Sequence, residues 1–230
     1  MAYRTRMRAQ IIANKSESDP GFVGKVLAEH GFELHLTHRR ALDPATEGPE
    51  NGDFLLLLGS GWSAYDPAVA PFVEAETSVL RAWMDADKPV LAICFGAQLA
   101  SQALGGRVFR SSRPEIGWNR IESSVPEIET GPWMQWHYDV FTVPAGARTL
   151  AQNPIGPQAF SMGRLLAVQF HPEATESIVA SWSADDGERE LAAIGIQRSV
   201  LLERTRSEVA RSEGAAKRLV EWHLKTTLNV

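Results

Sequence analysis

Two wholly apolar runs, Phe54–Leu58 (FLLLL) and Val90–Ile93 (VLAI), constrain this chain more than any other feature. A strand with one face in water alternates apolar and polar side chains. An unbroken apolar run of this length therefore marks a strand covered on both faces. Stretches of helical spacing lie between and around the two runs. Phe22–His30 carries Phe22, Val23, Val26 and Leu27, and Gly31 stops it. Pro71–Ala86 carries Phe72, Ala75, Val79 and Trp83 on one face, and Lys88-Pro89 breaks it. Ala9–Ala13 and Phe32–Leu36 read as the first two strands. This alternation predicts an α/β fold, a mostly parallel central sheet with helices on both faces. Arg107–Val143 is more strand-like, with turns at Gly117, Pro126 and Gly131-Pro132, and a strand returns at Leu165–Phe170. Beyond Thr175 the spacing predicts helices over Ser177–Ser183, about Glu188–Leu202 and Val209–Leu224. Neither a repeat nor a linker divides the chain. The expectation is one domain over 1–230 with a C-terminal helical extension from about 176, packed on a face or edge of the sheet.

Charge and cysteine usage narrow the function classes. With 23 basic and 28 acidic residues among 230, the net charge is −5, so there is no basic field to draw nucleic acid or an anionic membrane. Phe54–Leu58 falls far short of the ~20 apolar residues that span a bilayer. Arginines 4, 6 and 8 are followed only by the short run Ile11–Ala13, which is too little for a signal peptide. A cytoplasmic location is expected. The single cysteine excludes an internal disulfide and a thiolate zinc site. Neither a phosphate loop nor a G-x-G-x-x-G turn opening a helix is present, and no metal or other cofactor is expected.

That single cysteine sits in the most informative stretch, Val90–Gln98 (VLAICFGAQ). A buried strand ends in Cys94, small Ala92 stands two before it, Gly96 two after, and a helix follows at once. This is a nucleophile elbow with cysteine in place of serine. The tight turn presents the side chain at the carboxyl end of the sheet, where α/β proteins place ligands. The following helix points its N-terminus at the sulfur and favours the thiolate.

A cysteine nucleophile needs a base and a group to orient it. His30, His35 and His38 belong to the first strand–helix–strand unit, and His223 reads as a solvated residue of a charged helix. His171 ends the strand Leu165–Phe170, where Pro172 forbids further pairing, and Glu173 is close enough to orient it. His137, in Trp136-His137-Tyr138-Asp139, is the weaker candidate. Acyl transfer also needs oxyanion donors. The turn Gly59-Ser60-Gly61-Trp62 offers free amides after a buried strand, and Phe95, next after the nucleophile, supplies another.

With these pieces in order the chain resembles the class I (triad) glutamine amidotransferases, most closely the stand-alone proteins similar to the amidotransferase domain of GMP synthetase. The likeness is carried by Leu55–Pro67 (LLLLGSGWSAYDP), Leu91–Gly106 (LAICFGAQLASQALGG), Glu115–Trp118 (EIGW), Trp136–Asn153 and Ala167–Thr175 (AVQFHPEAT), across roughly residues 9–175. The resemblance implies a flavodoxin-like fold with Cys94 as nucleophile, His171 as base and Glu173 orienting it. It implies oxyanion donors at Gly61 and Phe95, and substrate contacts at Gln98, His137 and Asp139. Two departures stand out: Ala92 where many relatives have glycine, and Ser60-Gly61-Trp62 where many have Gly-Gly-Pro.

The implied reaction is hydrolysis of the glutamine side-chain amide to glutamate and ammonia through a γ-glutamyl thioester. No ATP-binding motif is present, so transfer of the ammonia would require a partner synthetase. The alternatives are a hydrolase of γ-glutamyl peptides or conjugates using the same triad, and a catalytically silent regulatory protein. Trp182 and Trp222 are open to either a core or an interface role.

Overall fold

The structure is a computed structural model and describes residues 7–228. Arg4 and Arg6, two of the three arginines weighed against a leader peptide, lie outside the described residues. In chain order the elements are β1 (Met7–Ala13), α1 (Gly21–Glu29), β2 (Phe32–His38), β3 (Phe54–Leu57), α2 (Ala70–Asp85), β4 (Val90–Ile93) and α3 (Phe95–Ala103). A strand-rich middle follows with β5 (Val108–Asn119), β6 (Glu122–Ser123), β7 (Trp133–Phe141), β8 (Arg148–Asn153), β9 (Gly156–Met162) and β10 (Leu165–Val168). Three helices close the chain, α4 (Glu176–Trp182), α5 (Asp186–Ala193) and α6 (Arg198–Leu228).

Eight strands form one sheet in the order β2-β1-β3-β4-β10-β9-β8-β6. The five from β2 to β10 pair in parallel, and β9, β8 and β6 continue antiparallel. β5 and β7 form a separate antiparallel ribbon. All of Phe54–Leu57 and Val90–Ile93 is buried, because helices cover both faces. On one face Val23 and Leu27 of α1 join Leu219, Val220 and Leu224 of α6 against Phe54, Leu56 and Leu91. On the other, Val79, Leu80 and Trp83 of α2 and Phe95 and Leu99 of α3 pack on Leu55, Leu57 and Val90.

Three expectations need correcting. The helix predicted over Glu188–Leu202 is two helices, because Gly195 adopts φ +76° and separates α5 from α6. The stretch from Arg198 then runs unbroken to Leu228. The buried face of α2 runs through Val73, Glu76, Val79, Leu80 and Trp83, leaving Phe72 and Ala75 at its margin. His223 is buried, not solvated, and its Nε2 bonds the Val90 carbonyl at 3.0 Å. Burial lowers its pKa from the ordinary 6.5 to about 4, with the bond to Val90 opposing. Among the described residues, no helix is long and apolar enough to cross a membrane.

Candidate active site

β3, β4 and β10 are neighbours in the sheet, and their carboxyl ends open on one cleft of about 650 Å³. β3 leads into Gly59-Ser60, β4 into Cys94, and β10, by way of Gln169-Phe170, into His171. All of these except Gln169 and Phe170 line the cleft.

Cys94 is built as the elbow requires. Its backbone has φ 51° and ψ −105°, a region that side-chain-bearing residues seldom occupy. The strain is held from both sides: its N–H donates to Val168 O at 2.8 Å, and its carbonyl accepts from the Gln98 N–H at 2.9 Å. Gly96 is obligatory, since a Cβ there would fall 2.6 Å from Leu57 O. The Cys94 sulfur is nearly buried. It faces the Trp136 carbonyl at 3.9 Å and receives the Gln169 Nε2 donor at 3.6 Å.

His171, the expected base, lies beside it. His171 is fixed by its own N–H on Met134 O at 2.9 Å, and its ring is edge-on to Trp182 at 4.7 Å. Its Nδ1 bonds Glu173 Oε1 at 2.7 Å, in the orienting geometry expected of a triad. Its Nε2 is buried and has no hydrogen-bond partner, so that nitrogen is free for chemistry. Burial opposes protonation of the ring, but the Glu173 carboxylate and then the Cys94 thiolate outweigh it and raise the pKa from 6.5 to about 10. The ring is therefore held protonated near neutral pH.

In the turn expected to offer oxyanion donors, the amides are engaged differently. The Gly61 N–H is committed to the Glu17 carboxylate at 2.9 Å, and Gly61 is exposed. Gly59 lies against both side chains: a Cβ there would be 3.0 Å from His171 Cε1 and 3.6 Å from Cys94 Cβ. The Ser60 N–H has no hydrogen-bond acceptor among the described residues. The Ser60 hydroxyl accepts from Asn14 Nδ2 at 2.7 Å and from the Trp62 N–H at 3.0 Å, which tightens the turn. Trp62 packs edge-on to Phe95 and against Phe72.

The three residues expected to bind substrate lie in the same neighbourhood, each already engaged. Gln98 lines the cleft and donates to Asp139 O at 3.1 Å and Gln169 Oε1 at 3.4 Å. Both ring nitrogens of His137 meet acceptors, Asp139 O at 3.0 Å and Glu115 Oε2 at 3.1 Å. The Asp139 carboxylate accepts from Ser63 at 2.5 Å and Tyr65 at 2.9 Å. A carboxylate has about four acceptor positions, so two remain.

Sequence reasoning missed Gln169, the donor to the sulfur. The signal was an amide side chain interrupting the otherwise apolar run Leu165–Phe170, two residues before the histidine. It also left Trp182 undecided; the structure puts it on the cleft wall, while Trp222 packs at the margin of the core. No group of three or more His, Cys, Asp or Glu side chains fit to hold a metal occurs among the described residues.

The family model for class I glutamine amidotransferases matches residues 24–180. The chain is 38% identical over 134 residues to the glutamine-hydrolysing GMP synthase of Thermus thermophilus, a match covering 54% of this chain and 25% of that protein. It is 35% identical over 162 residues to the corresponding enzyme of Aeropyrum pernix, covering 66% and 30%. The chain thus matches only a quarter to a third of these relatives' length. In fold it is similar to a glutamine amidotransferase from Thermotoga maritima, with TM-score 0.86 and 24% identity over 96% of this chain and 100% of that one. A glutamine amidotransferase from Methylobacillus flagellatus gives 0.82 and 23% over 97% and 96%. At these identities the two structures speak to the fold alone.

Proposed function

The chain belongs to the class I glutamine amidotransferase family, and on that premise we propose that it hydrolyses the side-chain amide of glutamine through Cys94, His171 and Glu173. The observation that carries this reading is the elbow cysteine beside a buried histidine whose Nε2 is unpartnered and whose Nδ1 is held by Glu173 at 2.7 Å. In the proposed cycle the Cys94 thiolate attacks the γ-carbonyl carbon. The resulting oxyanion is received by the amides of Phe95 and the Gly59–Gly61 turn. The His171 imidazolium gives its proton to the departing nitrogen, and ammonia leaves. A γ-glutamyl thioester remains on Cys94. His171 then takes a proton from water, the hydroxide attacks the thioester, and glutamate and the thiolate are regenerated. Glu173 keeps the imidazole oriented and compensates its charge throughout. Gln98, His137 and Asp139 would frame the amino-acid end of the substrate.

On this reading residues 1–230 form one amidotransferase unit. The matched GMP synthases are three to four times longer than the matched stretch, and on this reading the ammonia passes to a synthetase unit that residues 1–230 do not include. The test is release of ammonia and glutamate from glutamine by the purified chain, alone and with candidate synthetases. Cys94→Ala is expected to abolish it; substantial activity in that variant would refute the mechanism.

A second reading keeps the same triad and changes the substrate. About 650 Å³ is the volume of a site for a drug-sized ligand, more than free glutamine fills. Trp136, Tyr138, Trp182 and Glu190 extend its wall beyond the triad. A γ-glutamyl conjugate would use that space, with an amine in place of ammonia as leaving group. Faster turnover of γ-glutamyl amides than of glutamine would favour it.

A further inference from the structure

The largest side chains wholly removed from solvent include one cation, Arg39, in a short helical turn after β2. Its partner is Glu76 on α2, equally buried; Nε donates to Oε2 at 2.6 Å and Nη2 to Oε1 at 3.2 Å. Such a pair is not in itself a source of stability, because desolvation offsets the Coulomb attraction and an apolar pair of similar volume often does as well. Burial holds the Glu76 carboxyl above its usual range even with Arg39 alongside. The pair therefore calls for another role.

The rest of the guanidinium points at the catalytic turn. Nη1 donates to Gly59 O at 3.0 Å and Nη2 to Leu58 O at 2.5 Å. The same guanidinium lies over the ring of Phe95, 4.8 Å from its centroid. One buried cation thus touches both segments that flank the sulfur, the turn after β3 and the residue after Cys94. A trans peptide is planar, with its carbonyl and the following N–H pointing opposite ways. With Gly59 O held on Arg39, the Ser60 N–H is turned to the other side. That N–H has no acceptor among the described residues, whereas the next one, of Gly61, is taken by Glu17. Gly59 itself abuts Cys94 and His171.

We propose that Arg39, oriented by Glu76, is a positioning residue that fixes the Gly59–Ser60 peptide so that the Ser60 N–H serves with the Phe95 N–H as an oxyanion donor. The inference rests on the acyl-transfer reading of Cys94. Arg39 makes four hydrogen bonds at once, two to the carboxylate and one to each carbonyl; a lysine ammonium has only three donors and no planar fork to place them.

The test compares wild type with Arg39→Lys and with the double variant Arg39→Met/Glu76→Leu, which removes both buried charges together. Circular dichroism establishes folding. Alkylation of Cys94 by iodoacetamide reads the thiolate and needs no oxyanion hole. Glutamine turnover and inhibition by glutamate γ-semialdehyde, whose adduct on the thiolate is tetrahedral, both need it. The expected result for folded variants is unchanged alkylation, kcat lowered about 10²-fold or more, KM changed little, and aldehyde affinity lowered in parallel with kcat. If the double variant does not fold, Arg39→Lys, which keeps a charge beside Glu76, carries the test. A folded variant with wild-type kcat and aldehyde affinity overturns the proposal. A wild type inert to alkylation, aldehyde and glutamine alike removes the Cys94 reading, and this proposal with it.

Discussion

His171 and Glu173 are two residues apart in the chain and 2.7 Å apart in space. Their pairing carries a pH signature. The histidine's pKa is raised in the fold from 6.5 to about 10. Its contribution to stability is therefore complete below about pH 6.5 and is lost as the pH rises through about 10. Glutamine hydrolysis is expected to fall along an alkaline limb near pH 10, where the imidazolium is lost. Glu173→Gln removes the first of the two charges that sustain the shift. In that variant the limb is expected to move to lower pH and kcat to fall by about 10² to 10⁴, as read from a pH–rate profile. An unmoved limb would contradict the assigned role. At this scale the site was legible where backbone chemistry restricts residue type. Only glycine fits at 96, whereas the strand expected to run to Phe170 ends already at Val168, so Pro172 is not what stops it. At the turn 59–61 two glycines flank Ser60, and spacing alone does not say which amide is left without a partner. In the structure Glu17 takes the Gly61 N–H and Arg39 the Gly59 carbonyl, both distant in sequence and carrying no motif.

The elements extend this contrast. β3 and β4 were legible because an unbroken apolar run has few alternatives in a domain of this size. α2 was legible as a helix, yet its inner face was misjudged by one position. The cue was Glu76, which falls at helical spacing between Val73 and Val79/Leu80; an acid on an apolar face announces a buried partner. α6 hid His223 in the same way, since its neighbours are charged while its own side chain meets Val90 O at the core. That burial is testable. A histidine with its pKa lowered to about 4 contributes stability that is present above pH 6.5 and lost as the pH falls toward 4. The shift amounts to roughly 3 kcal/mol at most. Thermal melts are expected to show stability falling between pH 7 and 4, and a flatter profile in His223→Gln, which keeps a donor for Val90 O. Parallel profiles would contradict the assignment.

In the whole molecule, the order of the strands makes the site. β3, β4 and β10 come from distant parts of the sequence, and their adjacency brings Gly59, Cys94 and His171 to one edge. Sequence reading anticipated three strand ends carrying chemistry; their adjacency in the sheet comes from the fold. The C-terminal helices are not an appendage, since Leu219, Val220 and Leu224 of α6 complete the core over Phe54 and Leu56. Leu219→Ala is expected to cost about 2–5 kcal/mol in urea unfolding; a change under 1 kcal/mol would mean that α6 is only loosely attached. The central claim, that Cys94 carries a γ-glutamyl group as a thioester, is tested most directly by intact-mass and peptide mapping after exposure to a glutamine-mimicking diazoketone. The account predicts one adduct, on Cys94, absent in Cys94→Ala and slowed in His171→Ala. Glutamine hydrolysis with no adduct on Cys94, or with labelling elsewhere, would contradict it.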